Sequence, residues 1–272
     1  MALTRRNSEA GLWLSRRGSG TPLVLLHGMG SSHHAWDLIA DDLEKSFAVI
    51  RIDFPGHGET PYLDGEEMDP VSLADKVFRT LSEHGLEEFH LVGNSLGGWV
   101  ALEMGSKYAH SVLSITALAP AGLWLVPETK RILKASQGRQ LAKALHPVAP
   151  YIARYEWARK IGFEVVSPQW RTLPTQILVD ATKAMGTSRG YFPAWDALLG
   201  RRFDSQVDPS IPVCIIFGDS DNTLPAAFSQ ERSLAPRHAK WVTLPQSGHA
   251  PMWDRASEVI ELIYETTAST SR

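Results

Sequence analysis

The 272-residue sequence predicts an α/β protein with a mostly parallel central sheet flanked by helices. Short apolar runs that end in Gly, Pro or Asp alternate with stretches whose apolar residues have helical spacing. The apolar runs are nearly continuous, which is typical of strands that are buried on both faces. A third observation, a long stretch without a convincing strand, predicts a helical insertion into this frame.

Seven strands and four helices of the frame follow from these patterns. Residues 11–15 are expected to form a short edge strand. Six apolar runs are expected to form buried strands: residues 23–26, 47–52, 89–92, 112–118, 213–217 and 241–244. Helical spacing of apolar residues predicts helices over residues 37–45, 71–84, 95–108 and 255–264.

The stretch from residue 121 to residue 203 is expected to be a helical cap, inserted into an α/β core formed by residues 1–120 and 204–272. Its helix-like pieces are separated by prolines, and it is far too long for a routine connection between strands. It is rich in aromatic residues, which could line a pocket or simply pack in the core. The candidate pocket residues are Trp124, Tyr191, Phe192, Trp195 and, near the end of the chain, Trp253.

The charge balance gives no electrostatic reason to expect nucleic acid or an anionic membrane as a partner, since 27 Lys and Arg accompany 30 Asp and Glu. No apolar stretch approaches the roughly 18 residues of a membrane span. Residues 1–20 lack the apolar core of a signal peptide, so a cytoplasmic location is the expectation. The single cysteine, Cys214, lies in an apolar run and is expected to be buried. The sequence gives no indication of an oligomeric state.

The motif Gly93-Asn94-Ser95-Leu96-Gly97 lies between a predicted strand and a predicted helix. Gly-x-Ser-x-Gly in this context is typical of the sharp turn that exposes a nucleophilic serine. Large side chains would collide on either side of such a turn, whereas Gly93 and Gly97 let the backbone segments pass closely. The pattern therefore predicts Ser95 as a nucleophile at the carboxyl edge of the sheet.

A serine hydroxyl needs a base, and the base needs a carboxylate to orient it. With this kind of turn the chain order is serine, acid, histidine. His249 directly follows the last predicted strand and is preferred over His238, which precedes that strand. Asp221 is preferred as the acid over Asp219, which is expected to brace the turn after the 213–217 strand.

Two backbone N–H groups are expected to stabilise a developing oxyanion. One belongs to Leu96, directly after the predicted nucleophile. The other belongs to Met29, in the glycine-flanked loop after the first buried strand.

The other histidines are expected to have structural roles. His27 and His57 lie in loops that they could brace through hydrogen bonds. His33 and His34 are adjacent, but no third ligand type clusters near them in the sequence, so no metal site is predicted. No dinucleotide fingerprint or phosphate-binding loop is present, and no cofactor is expected.

Together these motifs resemble the α/β-hydrolase superfamily, in its broad group of esterase-like and carbon–carbon bond hydrolases. The resemblance covers almost the whole chain outside residues 121–203. It rests on residues 27–30, 53–58, 93–98, 218–221 with Pro225, and 248–249. The family's usual acid position falls on Asp221. An aspartate nucleophile would indicate haloalkane dehalogenases or epoxide hydrolases, and Ser95 argues against both.

The resemblance implies cleavage of a carboxylic ester or related carbonyl in a small, fairly apolar substrate, through an acyl-enzyme on Ser95. The Gly93-Asn94-Ser95 start, the turn at residues 120–122 and Trp253 also resemble enzymes that cleave carbon–carbon bonds in vinylogous diketones. Acyl transfer is a further alternative. A non-enzymatic ligand receptor that keeps the fold is the least favoured interpretation.

Overall fold

The computed structural model describes residues 11–270. Residues 1–10, on which part of the expectation about a signal peptide rests, lie outside the described residues. The strands are β1 (Trp13–Arg17), β2 (Pro22–Leu26), β3 (Ala48–Asp53), β4 (Phe89–Asn94), β5 (Val112–Leu118), β6 (Val213–Gly218) and β7 (Lys240–Leu244). The helices are α1 (Asp37–Leu43), α2 (Pro70–Glu83), α3 (Leu96–Lys107), α4 (Leu133–Leu145), α5 (Ala149–Ile152), α6 (Glu156–Phe163), α7 (Thr175–Thr187), α8 (Tyr191–Leu198), α9 (Ala226–Ser229), α10 (Pro251–Asp254) and α11 (Ala256–Ala268).

The seven strands form one sheet in the order β1-β3-β2-β4-β5-β6-β7. β1 pairs antiparallel with β3 at the edge, and every other pairing is parallel. The predicted mostly parallel sheet is therefore confirmed. Because parallel strands end at the same edge, the loops after β2, β4, β6 and β7 are brought together there.

The strands are buried on both faces because their apolar side chains alternate between two core clusters. In β2, Val24 and Leu26 pack into one cluster, whereas Leu23 and Leu25 pack into the other. α2 and α3 supply the helical side of the first cluster, and α1 and α11 supply that of the second. Burial of each such side chain contributes about 1.5–3 kcal/mol, so the two clusters hold the helices against the sheet.

The frame helices begin and end close to the predicted positions, and their ends have local causes. The Asp69 carboxylate accepts hydrogen bonds from the Val71 and Ser72 N–H groups, and Pro70 occupies the first turn of α2. α11 runs to Ala268, beyond the predicted end at residue 264. Thr266 and Thr267 are buried, so packing against the core extends this helix through a polar sequence.

Helices α4 to α8 lie between β5 and β6, in the stretch from residue 121 to residue 203, which we call the α4–α8 segment. Within this described stretch the backbone forms helices and turns and no strand. α7 packs against α4, α5 and α6, and it also contacts the turn formed by His33–Trp36, which directly precedes α1. Among residues 11–270, no helix combines the length and the apolar character needed to cross a membrane.

Candidate active site

Ser95 stands on a strained turn between β4 and α3. Its backbone has φ +54° and ψ −115°, a conformation that costs a residue with a side chain about 1–3 kcal/mol. A Cβ on Gly93 would lie 2.2 Å from the Gly97 carbonyl oxygen, and one on Gly97 would lie 2.1 Å from that of Leu26. The Ser95 N–H donates to the Leu118 carbonyl at 2.9 Å. Glycines and neighbouring strands thus force Ser95 into this conformation.

His249 and Asp221 are paired on the loops that follow β7 and β6. The His249 Nδ1 lies 2.9 Å from the Asp221 Oδ2, and both side chains are buried. The two loops approach closely because β6 and β7 are neighbours, and a Cβ on Gly218 would lie 2.0 Å from the Ser247 carbonyl oxygen. The arrangement brings together the two residues that the sequence analysis selected as base and acid.

The Asp221 carboxylate is held in its charged form. Burial acts against the charge, but the facing His249 imidazole and the N–H groups of Leu224 and Thr223 outweigh it and keep the pKa of Asp221 below its usual value. The two N–H groups donate to Oδ1 at 2.8 Å each. Oδ2 is thereby left to accept from His249. Asp219, the other candidate acid, is exposed and bonds to the Ser220 hydroxyl.

Asn94 ties the serine turn to the loop after β7 that carries His249, which we call the histidine loop. Its side-chain amide donates to the His249 carbonyl at 3.0 Å and to the Leu118 carbonyl at 3.1 Å. Ser95 and His249 are therefore brought to the same site from segments more than 150 residues apart. Among residues 11–270 no hydrogen bond joins the Ser95 hydroxyl to the His249 imidazole.

The loop after β2 lies directly against the serine. A Cβ on Gly28 would come within 3.1 Å of the Ser95 Cβ, and the Gly28 carbonyl accepts from the Ser31 N–H at 3.1 Å. Met29, one expected oxyanion donor, is the next residue in this loop. Leu96, the other, is the first residue of α3. Leu96 thus directly follows Ser95 in the chain, and Met29 directly follows Gly28, which contacts Ser95.

His27 and His57 brace the loops on this side of the site. The His27 Nδ1 donates to the Gly28 carbonyl at 2.8 Å and its Nε2 accepts from the Phe54 N–H at 3.1 Å, which fixes one neutral tautomer. Burial lowers the pKa of His27, and burial lowers that of His57 to about 3. The His57 Nδ1 donates to the Pro55 carbonyl at 2.9 Å.

Of the five candidate pocket aromatics, Tyr191 contacts the loop after β2 at Gly30. A Cβ on Gly30 would lie 2.8 Å from the Tyr191 ring. Trp195 is buried beside Tyr191, with ring centroids 5.7 Å apart. Burial raises the pKa of Tyr191 to about 12, so its hydroxyl is neutral.

The other three aromatics each have further partners, and Phe192 also lies edge-on against Tyr191, with ring centroids 5.3 Å apart. Trp124 packs edge-on against Trp99 and donates through Nε1 to the Arg201 carbonyl at 2.7 Å. Trp253 donates to the Ala35 carbonyl at 2.9 Å. Phe192 lies under the Arg131 guanidinium, 4.4 Å from its ring centroid.

A part of the site that sequence reasoning missed joins the α4–α8 segment to the histidine loop. The His249 N–H donates to the Val166 carbonyl at 2.7 Å. The Asp254 carboxylate accepts from the Gly248 N–H at 2.8 Å and from the Ser167 hydroxyl. Burial raises the pKa of Asp254 despite these donors. No sequence pattern singles out these contacts, because they depend on how the helical segment packs.

Met185 was also missed. A Cβ on Gly30 would lie 2.7 Å from its sulfur, so this α7 residue sits with Tyr191 against the loop that contains Met29. The only sequence signal is an apolar residue at helical spacing in α7, which does not distinguish a residue near the site from one in the core.

The structure brings two aspartates close to His34, one histidine of the pair considered above. His34, Asp37 and Asp180 offer ligand atoms that all lie within 4.8 Å of one another. Asp180 comes from α7, which explains why the sequence did not reveal it. His34 and Asp37 are exposed and form an ion pair at 2.8 Å. An exposed group of this kind is common without an ion, and we assign it no metal.

Comparison with known proteins supports one family. Residues 23–262 match the Alpha/beta hydrolase family, which covers most of the chain. A Chromobacterium violaceum relative, a pimeloyl-[acyl-carrier protein] methyl ester esterase, is 23% identical over 93% of this chain and 97% of its own length.

Two further similarities illustrate how varied this family is. The dihydrolipoyllysine-residue acetyltransferase component of the acetoin cleaving system of Cupriavidus necator is 26% identical over 92% of this chain, which spans 64% of that relative's length. The structure of the epoxide hydrolase CorEH superimposes with a TM-score of 0.74 at 17% identity, over 94% of each chain, and shows the shared fold. With the sheet order and the serine turn described above, the match over residues 23–262 establishes that the chain belongs to the alpha/beta hydrolase family.

Proposed function

We propose that this chain is a serine hydrolase that cleaves a carboxylic ester or related carbonyl compound through an acyl-enzyme on Ser95. The observation that carries the proposal is the link made by Asn94, which ties the strained serine turn to the loop of the paired His249 and Asp221. Nucleophile, base and orienting acid then come from three separate loops at one sheet edge, in the chain order that this turn requires.

In the proposed first step the Ser95 Oγ attacks the substrate carbonyl carbon. The His249 Nδ1 donates to Asp221, so the lone pair of a neutral imidazole is on Nε2, which accepts the Ser95 proton. The Ser95–His249 hydrogen bond is expected to form with substrate in place, since such contacts often tighten only in the reacting complex. The charged Asp221 stabilises the imidazolium that results.

The negative charge on the carbonyl oxygen is proposed to be stabilised by the Met29 and Leu96 N–H groups. The contact between Gly28 and Ser95 supports this role for the loop after β2, and the N-terminus of α3 adds favourable dipoles. Collapse of the intermediate breaks the bond to the alkoxide, which takes the proton from His249. Water, deprotonated by His249, then attacks the acyl carbon. Collapse of this second intermediate breaks the bond to the Ser95 Oγ, which takes the proton back from His249, and the acid is released.

The α4–α8 segment is proposed to act as a cap that shapes the substrate site. Met185 and Tyr191 support this, because both lie against Gly30 beside the proposed oxyanion donor Met29. Their apolar side chains favour a small, fairly apolar substrate.

Acyl transfer is the second candidate, because the Cupriavidus necator relative is named as an acetyltransferase component. The same acyl-Ser95 ester would then be released by a thiol or alcohol acceptor in place of water. Product analysis separates the two. We expect p-nitrophenyl acetate to yield free acetate, whereas a transferase would yield acetylated acceptor when a thiol is present.

Labelling with a fluorophosphonate probe tests the nucleophile. We expect labelling of the wild-type chain and of Ser220→Ala, which removes a serine hydroxyl from the neighbouring acid loop, and no labelling of Ser95→Ala. Turnover of a p-nitrophenyl acyl series should be lost in parallel. Persistent labelling of a folded Ser95→Ala chain would reject Ser95 as the nucleophile.

A further inference from the structure

Exposed apolar side chains are concentrated on one part of the α4–α8 segment. Of the 14 large hydrophobic side chains that residues 11–270 expose, 11 lie between residues 125 and 165. Val126 is 73% exposed, Leu133 71% and Trp157 54%. Single exposed apolar residues are ordinary on a protein surface, but a concentration of this kind marks an interaction surface.

These side chains belong to an outer layer of the molecule. α4, α5 and α6 pack against α7, and α7 in turn contacts the sheet domain, so the exposed side chains of the three outer helices lie away from the core. Trp157 and Ile161 are four residues apart on α6 and therefore share one face of that helix. Phe228, 69% exposed, adjoins the layer because its carbonyl accepts the Leu125 N–H. We call residues 125–165 with Phe228 the outer face.

The outer face is also basic. Residues 125–165 contain eight Lys or Arg and three Asp or Glu, a formal charge of +5 in a chain whose net charge is −3. Lys134, Lys143 and Arg154 are exposed among the apolar side chains. Some of the other cations are used internally, since Arg139 is buried and its guanidinium donates to the Gly186 and Ser188 carbonyls.

We propose that the outer face docks on an anionic lipid surface. Aromatic and aliphatic side chains interspersed with Lys and Arg are the combination that binds at the boundary between headgroups and acyl chains. The cations are complementary to anionic headgroups, each lysine or arginine near the surface strengthening binding about fivefold. A second copy of this chain fits less well, because two outer faces that each expose more Lys and Arg than Asp and Glu would repel each other. The net charge of the whole chain does not show this distribution, which explains why composition alone gave no reason to expect an anionic membrane as a partner.

Vesicle co-sedimentation tests the proposal independently of the proposed hydrolysis, because it is performed on the Ser95→Ala chain. The probes are phosphatidylcholine vesicles and mixed phosphatidylcholine–phosphatidylglycerol vesicles. We expect binding to the mixed vesicles that weakens with salt and is much weaker on phosphatidylcholine alone. The double variant Trp157→Ser/Ile161→Ser should lose about tenfold or more in affinity. Lys134→Glu/Lys143→Glu should lose at least about fivefold per lysine.

Matched substitutions outside the outer face provide the controls. Leu63→Ser replaces a side chain that is 66% exposed, and Arg17→Glu/Arg237→Glu reverses two exposed charges elsewhere. Both should bind like the parent chain. Unchanged binding of the outer-face variants, or equal binding to neutral vesicles, would overturn the proposal. So would a concentration-dependent dimer that the Trp157/Ile161 variant abolishes without vesicle binding, or binding to polyglutamate but not to mixed vesicles.

Discussion

Ser95 adopts its conformation because its neighbours leave no alternative. The turn is confined by the Leu26 carbonyl on one side and by the first turn of α3 on the other, at distances that only glycine tolerates at positions 93 and 97. Contacts with the sheet and with α3 thus maintain the strained backbone conformation of Ser95. Without them the residue would adopt a helical conformation, and its side chain would no longer be exposed for reaction.

Gly97→Ala tests this confinement. The new Cβ would lie 2.1 Å from a backbone oxygen of β2, which cannot move without displacing the strand. We expect the free energy of unfolding to fall by about 2 kcal/mol or more and Ser95 labelling to slow. Gly138→Ala is the control, because nothing lies within 4 Å of its Cβ in α4, and it should stabilise by about 0.5–1 kcal/mol. Equal effects of the two substitutions would contradict the steric account.

Asp221→Asn tests the assigned acid. The amide keeps the size of the side chain but loses the charge and favours the wrong imidazole tautomer, so we expect kcat to fall by about 10³–10⁴-fold with little change in KM. Asp219→Asn, two residues away and exposed, is the matched control and should retain activity. Comparable losses of kcat in both variants would show that activity depends on the conformation of the loop and not on the charge of Asp221.

At the scale of elements, the conformation of the histidine loop depends on its contacts with the α4–α8 segment. The Gly248 N–H donates to Asp254 and the His249 N–H donates to the Val166 carbonyl. The hydroxyl of Ser167, the residue after Val166, also donates to Asp254. A Cβ on Gly248 would lie 2.3 Å from the Val166 oxygen, so the contact requires glycine there. The loop carrying the proposed base is therefore positioned from both sides, by α10 and by the start of the stretch between α6 and α7.

Asp254→Ala should weaken this positioning. It leaves the Gly248 N–H and the buried Ser167 hydroxyl without their acceptor, which costs about 1–3 kcal/mol of unfolding free energy. We also expect kcat to fall more than KM changes, because His249 loses its fixed orientation. Urea unfolding and steady-state kinetics measure the two effects.

Glu258→Ala, which removes an ion pair with Arg255 at the start of α11, is the control and should change stability by less than about 1 kcal/mol. A wild-type kcat in Asp254→Ala would refute the positioning role.

Elements whose signal is local were predictable from the sequence. β2, β4 and β6 are rich in apolar residues and are buried along their whole length or nearly so, and the serine turn needs glycines at fixed positions. The contacts of Asn94, Asp254 and Met185 were not predictable, because each joins segments that are distant in the chain. Their side chains carry no pattern that distinguishes them from other polar or apolar residues of the same types.

At the scale of the whole molecule, the net charge of the sequence does not show how charged residues are distributed over the structure. The net charge of −3 belongs to a chain in which residues 125–165 are basic and rich in exposed apolar side chains, whereas the residues outside the α4–α8 segment supply most of the acidic side chains. The exposed fraction of each side chain likewise separates the aromatic residues that pack in the interior from those that lie on the surface. Trp195 is buried beside Tyr191, whereas Trp157 faces solvent, and spacing along the chain does not separate the two.

Buried histidines should make the molecule sensitive to mild acid. Burial lowers the pKa of His57 to about 3 and that of His90 to about 4, whereas an unfolded histidine titrates near 6.5. Between pH 6.5 and pH 4 the unfolded chain therefore binds more protons than the folded chain, and the free energy of unfolding falls as the pH falls. The expected contribution is about 1.4 kcal/mol per pH unit for each of these histidines.

Urea unfolding of His90→Gln between pH 6.5 and pH 4.5 checks this contribution. The variant loses the hydrogen bond to the Ser114 hydroxyl, so its stability at pH 7 should be lower than that of the wild type. Its stability should nevertheless depend less steeply on pH, by about 1.4 kcal/mol per pH unit, because glutamine binds no proton in either state. His238→Gln, which replaces an exposed histidine, is the control for the slope. A slope in His90→Gln equal to that of the wild type would mean that His90 takes up its proton in the folded chain as readily as in the unfolded one.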